Sequence, residues 1–263
     1  MKRILPALTA LALIAATPLP TFAADNNKST GDQIADAASA AWKALKKGTR
    51  EAWDATVKAF DTMTEGTKDI LLPAALPSAL SGKQLIGTSV ENKSEGKVGR
   101  ISDVVIGNDN FMDAFIVEDG GFLGIGADKV PVKTRLITVT RTPDGSLKAR
   151  TNVTEAQLDT AADGAFVSRI EAMNENFKNS TVKSVARLLA TSVVDTSGRK
   201  IATVHDVLLS PIGEATYAIL KVDAAGGKLV AVRVTSLSFT RAGEPLKTTL
   251  TADQLQRRAA VRY

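Results

Sequence analysis

Leu85-Ile86-Gly87-Thr88-Ser89-Val90, continued by Val98-Gly99-Arg100-Ile101-Ser102-Asp103-Val104-Val105-Ile106, is written twice in this chain. The second copy is Leu188-Leu189-Ala190-Thr191-Ser192-Val193, continued by Ile201-Ala202-Thr203-Val204-His205-Asp206-Val207-Leu208-Leu209. Leu188 stands 103 residues after Leu85, and Asp206 103 after Asp103, so no gap falls inside the matched block. Further on, Val130-Pro131-Val132-Lys133 answers to Val230-Ala231-Val232-Arg233, and Thr154-Glu155-Ala156-Gln157-Leu158 to Thr251-Ala252-Asp253-Gln254-Leu255. A period this long means two copies of one small domain, not a solenoid of short units.

Within the first copy, short runs of β-branched residues alternate with turn residues. Strands are expected at Ser89–Glu91, Lys97–Ile106, Phe111–Glu118, Lys129–Val132, Leu136–Arg141 and Ser146–Arg150. Pro143-Asp144-Gly145 reads as a turn, because proline presets φ and glycine accepts a positive one. Thr154 with Gln157 three residues on forms a capping box for a short helix. Six or so such strands predict a small, bent antiparallel barrel whose closure removes exposed edges. Aromatics are only 5% of the chain, so the cores must be built from Val, Ile, Leu and Ala.

The remaining segments are read from pattern. Lys2-Arg3, an apolar run from Ile4 to Leu19 and Thr21-Phe22-Ala23 predict a signal peptide over 1–23, cleaved near Ala23, and hence a periplasmic protein. Without Lys2 and Arg3, 31 basic residues face 28 acidic ones, a formal +3. That permits contact with an anionic surface without demanding it. There is no cysteine, which excludes disulfides and thiol catalysis.

Residues 24–31 are polar and expected to be disordered, and 32–71 are expected to form one long amphipathic helix. Its apolar side carries Ile34, Trp42, Leu45, Ala52, Trp53, Phe60, Met63 and Ile70. That stripe either packs on the barrels or on a second copy of itself, giving a homo-oligomer, or lies on a membrane surface. Residues 72–84, with Pro73 and Pro77, read as a semi-rigid linker. Residues 163–184 read as a partly helical linker from the spacing of Phe166, Ile170, Met173 and Phe177, and 259–263 as a basic tail.

Leu85-Ile86-Gly87, the turn glycine Gly96, Val98-Gly99-Arg100-Ile101 with Asp103-Val104-Val105-Ile106, and Gly120-Gly121-Phe122-Leu123-Gly124-Ile125-Gly126 together resemble a PRC-barrel domain. This is the barrel of the photosynthetic reaction centre H subunit and of a ribosome maturation factor. The resemblance is firm over about 85–160 and looser in the second copy, where Ala190 and Ala202 replace Gly87 and Gly99 and the glycine-rich hairpin is gone. It implies two PRC-type barrels, at 85–162 and 185–258, that dock on macromolecules and share no enzymatic chemistry. The overall fold class expected is mainly β with α segments.

Candidate site residues follow, each with its plainer reading. Phe122, Leu123 and Ile125 either form an exposed docking tip or fold back onto the barrel, with Gly121 serving the hairpin. Trp42 and Trp53 are candidate partner-binding residues on the helix. Asp103 and Asp206 share one slot in both copies and are read as structural, satisfying backbone N–H groups at a bend, as Gly96 serves a turn. His205 is the only histidine, and the first copy carries Ser102 in its place, which argues against essential chemistry. No nucleophile elbow, metal-ligand cluster, cofactor motif or basic run interleaved with aromatics is present, so no catalytic, metal, cofactor or nucleic-acid site is expected. The sequence therefore points to a non-enzymatic periplasmic scaffold that binds a partner protein, with peripheral membrane contact as a further option. The alternative is an accessory subunit of a membrane complex handling a cofactor or protons, as the reaction centre analogy suggests.

Overall fold

The computed structural model describes residues 48–66, 69–119, 128–142, 144–163, 183–240 and 243–263. The leader and polar stretch over 1–31, the helical reading of 32–47 with Trp42, the glycine-rich stretch with Gly121, Phe122, Leu123 and Ile125, and Phe166, Ile170, Met173 and Phe177 lie outside the described residues.

Helix α1 runs over 48–64. Trp53, Val57, Phe60 and Thr64, spaced four, three and four apart, are its buried face. The wheel reading is corrected in three places: Val57 is inside, Ala52 is exposed, and Met63 is 41% exposed. The helix also stops short of residue 71. The amide of Gly66 bonds the carbonyl of Met63 in a tightened last turn, and Ile70 and Leu71 become strand β1 (Ile70–Leu71). Glycine weakens a helix and Pro73 cannot continue one, so the stripe breaks there.

After α2 (Leu72–Ala75) come β2 (Leu80–Ser81) and α3 (Gly82–Leu85). The first sheet contains β3 (Ser89–Asn92), β4 (Gly96–Ile106), β5 (Met112–Asp119), β6 (Asp128–Lys133), β7 (Ile137–Arg141) and β8 (Leu147–Thr151). Helix α4 (Glu155–Asp163) follows. The second half repeats the order: β9 (Lys183–Ser184), α5 (Val185–Leu188), β10 (Ser192–Val194), β11 (Lys200–Leu209), β12 (Ala215–Val222), β13 (Lys228–Arg233), β14 (Leu237–Ser238), β15 (Leu246–Thr248), α6 (Ala252–Arg257) and β16 (Val261–Arg262).

Both sheets have one topology. The first is ordered β6-β5-β4-β3-β8-β7 and the second β13-β12-β11-β10-β15-β14. Two expectations are corrected. The sheets are not wholly antiparallel, because β3 pairs β8 and β10 pairs β15 in parallel. They are also curled and open, with no ladder joining β6 to β7. The strand directions explain both facts. Alternation from β3 to β6, and the parallel β3–β8 pair, make β6 and β7 run the same way. The single 3-10 turn Thr134–Leu136 connects them. They are two halves of one strand bent around a corner, and such halves cannot pair with each other.

The linker reading of 72–84 is corrected too. β2 pairs with β11 of the second sheet, and β9, just before the second copy, pairs with β4 of the first. Each copy lends its leading segment to the other. One continuous apolar core results, holding Leu85, Ile101, Val104 and Phe115 together with Val185, Ile201, Val204 and Leu220. The tail is also structural, since β16 pairs in parallel with β1, and Ala259 and Val261 are buried.

Candidate functional site

The two aspartates sit where strands bulge. In β4 the register against β5 shifts between Ile101 and Asp103, and in β11 against β12 between Val204 and Asp206. Ser102 and His205 are the extra residues. A bulge bends its strand and re-aims the next side chain, and here it aims the carboxylate across to the other copy. Asp206 Oδ2 accepts from the Ser81 hydroxyl at 2.6 Å, and Oδ1 from the amide of Lys83 at 2.9 Å and of Val207 at 2.7 Å. Asp103 repeats the arrangement, accepting from the Ser184 hydroxyl and from the amides of Ala186 at 2.9 Å and Val104 at 2.7 Å. Ser81 and Ser184 simultaneously cap α3 and α5 by accepting from Gln84 and Arg187. Each aspartate therefore holds the capped first turn of the opposite copy's leading helix.

The pairs are related by a pseudo-twofold. The amide of Met112 donates to Gly213 and that of Ala215 to Asn110, both at 2.8 Å, so the β4–β5 and β11–β12 loops bond each other reciprocally. The symmetry fails at one point. The Tyr263 hydroxyl donates to Asp206 Oδ2 at 2.7 Å and seals it at 0% exposure, whereas Asp103 stays half-buried.

His205 is half-buried, its ring 5.9 Å from that of Tyr263. Burial lowers its pKa, as does the positive charge of Lys83, against a smaller opposing pull from Asp206. The fold therefore favours the neutral ring. That contribution is complete above about pH 6.5 and is lost as pH falls from there through the lower folded value. As the only histidine, its ring-proton NMR signal should titrate with a midpoint below about 6.5, and His205→Gln should remove the corresponding loss of stability on acidification. A midpoint at or above that value overturns the assignment.

Trp53 is 4% exposed and donates from Nε1 to Thr216 Oγ1 at 3.2 Å. The chain itself occupies this indole, so it offers no surface to a partner in this state. Gly96, which opens β4 just after the β3–β4 turn, has φ 78°, a conformation that glycine adopts without the strain a Cβ would bring. Several basic residues are ion-paired: Arg100 with Glu118 at 3.0 Å, Arg199 with Asp195 at 3.2 Å, Lys200 with Asp223 at 3.6 Å, and Arg262 with Asp69. Among the described residues no group of three or more His, Asp or Glu side chains converges as a metal site, and no helix is long and apolar enough to cross a membrane.

One feature was not legible from charge runs along the chain. A cleft of about 1000 Å³ opens on the first sheet between the β3–β4 turn and the β7–β8 hairpin. Lys93, Arg135 and Arg150 line it with Glu91, Leu136 and Val153. Strand pairing creates the cluster, because the register sets Arg150 beside Glu91 on β3 and Thr138 on β7.

Comparison with known families finds that the PRC-barrel domain model matches residues 77–153. That span begins just before β2 and ends after β8, so it contains the first curled sheet and the lent segment β2–α3. No curated protein matches the chain.

Proposed function

We propose that the chain is a non-enzymatic, exported scaffold of the bacterial periplasm, built from tandem PRC-type barrels that bind a partner protein. The reciprocal aspartate latch is the observation that carries this reading. The carboxylate at the strand bulge of each copy, Asp103 and Asp206, is committed to the other copy's leading helix. Neither carboxylate is left to act on a substrate, and the product of the latch is one firm body presenting two curved sheets. The PRC-barrel match to residues 77–153 agrees, since that family is often involved in protein interactions. Export and a bacterial source rest on the leader-like residues 1–23.

The α1 stripe does not serve as a free docking or membrane face over 48–64, because Trp53, Val57 and Phe60 lie against the second sheet. Partner binding is assigned instead to the first sheet. Crosslinking in intact cells followed by mass spectrometry tests the reading. A single protein recovered with the chain in reproducible stoichiometry is expected. A purified protein carrying a stoichiometric chromophore or metal, with no crosslinked partner, overturns it.

A further inference from the structure

The cleft on the first sheet holds more positive charge than the described chain neutralises. Among the described residues, the side chains of Lys93, Arg135 and Arg150 have no hydrogen-bond or ion-pair partner, unlike those of Arg100, Arg141, Arg199 and Arg233. Leu136, which lines the same cleft, is 46% exposed, one of few large apolar side chains so open among the described residues.

The pseudo-symmetric corner of the second sheet differs. Leu250 and Gln254 stand there for Val153 and Gln157, in a smaller cleft of about 220 Å³. The chain brings its own carboxylate to that corner: Glu65, at the end of α1, lines it with Arg257 and Arg258. At Arg135 the second copy has Thr235 and at Glu91 it has Val194, while Lys247 answers to Arg150, so the combination of Arg135 with Glu91 belongs to the first copy alone.

We propose that this cleft takes an acidic segment of a partner protein, a peptide with Asp or Glu flanking an apolar side chain. The proposal rests on the scaffold reading and names the chemistry of its partner. Two guanidinium forks match carboxylates bidentately, and Leu136 with Val153 supplies an apolar seat. Glu91 distinguishes a peptide from a phosphate-dense ligand. Its carboxylate repels a polyanion but can accept from a peptide N–H beside the acidic side chain.

A random-peptide phage library panned on the mature full-length protein tests this, with Arg135→Gln/Arg150→Gln as counter-target, since glutamate at 150 would stand opposite Glu91. These side chains make no bond within the described chain, so the double variant should keep the wild-type circular dichroism and melting temperature. Enriched peptides should carry Asp or Glu next to an apolar residue. In fluorescence anisotropy each single alanine variant, R135A or R150A, should weaken the enriched peptide about tenfold, and added salt should weaken it further. The proposal fails if no peptide is enriched, if the enriched peptides lack acidic residues, or if they bind the double variant equally. It also fails if phosphatidylglycerol vesicles, and no peptide, bind in an Arg135- and Arg150-dependent way, for then a lipid surface is the occupant. A cellular partner crosslinked equally to wild type and double variant removes the cleft from the interface while leaving the scaffold reading intact. Absence of any crosslinked partner removes the scaffold reading itself.

Discussion

Replacing Asp206 by alanine should lower the unfolding free energy by about 3–5 kcal/mol, while the same change at Asp103 should cost only about 1–2 kcal/mol. The loss arises from donors left behind. At Asp206 these are the Ser81 hydroxyl, the amides of Lys83 and Val207, and the Tyr263 hydroxyl, all around a carboxylate with 0% exposure. Each buried donor without a partner costs about 1–3 kcal/mol, though hydroxyls recover part of this by turning. Asp103 serves one donor fewer and is only half-buried, so water can replace much of what is lost. Asparagine at 206 should fall between. Its carbonyl can still accept from the two amides, and its NH2 can donate to the hydroxyl oxygens of Ser81 and Tyr263 once they reorient. Urea denaturation of the three variants decides the matter. Equal losses at 103 and 206 would show that Tyr263 and full burial contribute nothing. A loss below about 1 kcal/mol at 206 would mean the carboxylate does not hold the copies together.

The latch marks where sequence reasoning reached and where it stopped. The 103-residue offset identifies Asp103 and Asp206 as one slot, and reading them as ligands of backbone N–H groups at a bend agrees with the bonds to Val104 and Val207. Their partners on the opposite copy were not legible. A repeat in sequence reports which residues are alike, not which copy each will pair with. A signal did exist just outside the matched block, because Ser81 and Ser184 are also 103 apart and each lies three residues before its partner amide on a short helix. Extending the repeat backwards through the proline-containing stretch would have included both.

The open, partly parallel sheet escaped for a different reason. Alternating β-branched runs report strands but not directions, and the decisive feature is a three-residue 3-10 corner that turns the chain without reversing it. Lys93 lies in a basic group with Lys97 and Arg100 that is visible along the chain, but its two cleft companions were hidden for a third reason. Lys93, Arg135 and Arg150 are scattered along the chain, and only cross-strand register brings them to one wall. The run Arg199-Lys200, which stands out along the chain, is neutralised by Asp195 and Asp223.

Phe60→Ala should cost about 3–5 kcal/mol and Met63→Ala no more than about 0.5 kcal/mol, although a helical wheel puts both on one apolar side. Phe60 has 0% exposure and meets Tyr217 edge to face, with ring centroids 4.9 Å apart and planes at 71°. Around it the helix is pinned by polar bonds. The Tyr217 hydroxyl donates to Asp61 Oδ1 at 2.8 Å, and Arg233 reaches the same carboxylate from Nε at 3.1 Å and Nη2 at 2.7 Å. Burial and the bond to Asp61 push the Tyr217 hydroxyl pKa upward, so it remains a donor across the physiological range. Truncating Phe60 opens a cavity that this rigid frame cannot collapse to fill. Met63 instead points to solvent, where loss of a thioether touches no packed surface. The contrast also bears on membrane binding. For 48–64 to lie on a bilayer, Trp53, Val57 and Phe60 must leave the second sheet, so lipid contact has to outweigh about the loss measured for Phe60→Ala. Thermal and urea unfolding of the two variants, with flotation of wild type on anionic vesicles, gives both quantities. A Met63→Ala loss matching that of Phe60→Ala would place a different face of α1 on the sheet and return Trp53 to the surface.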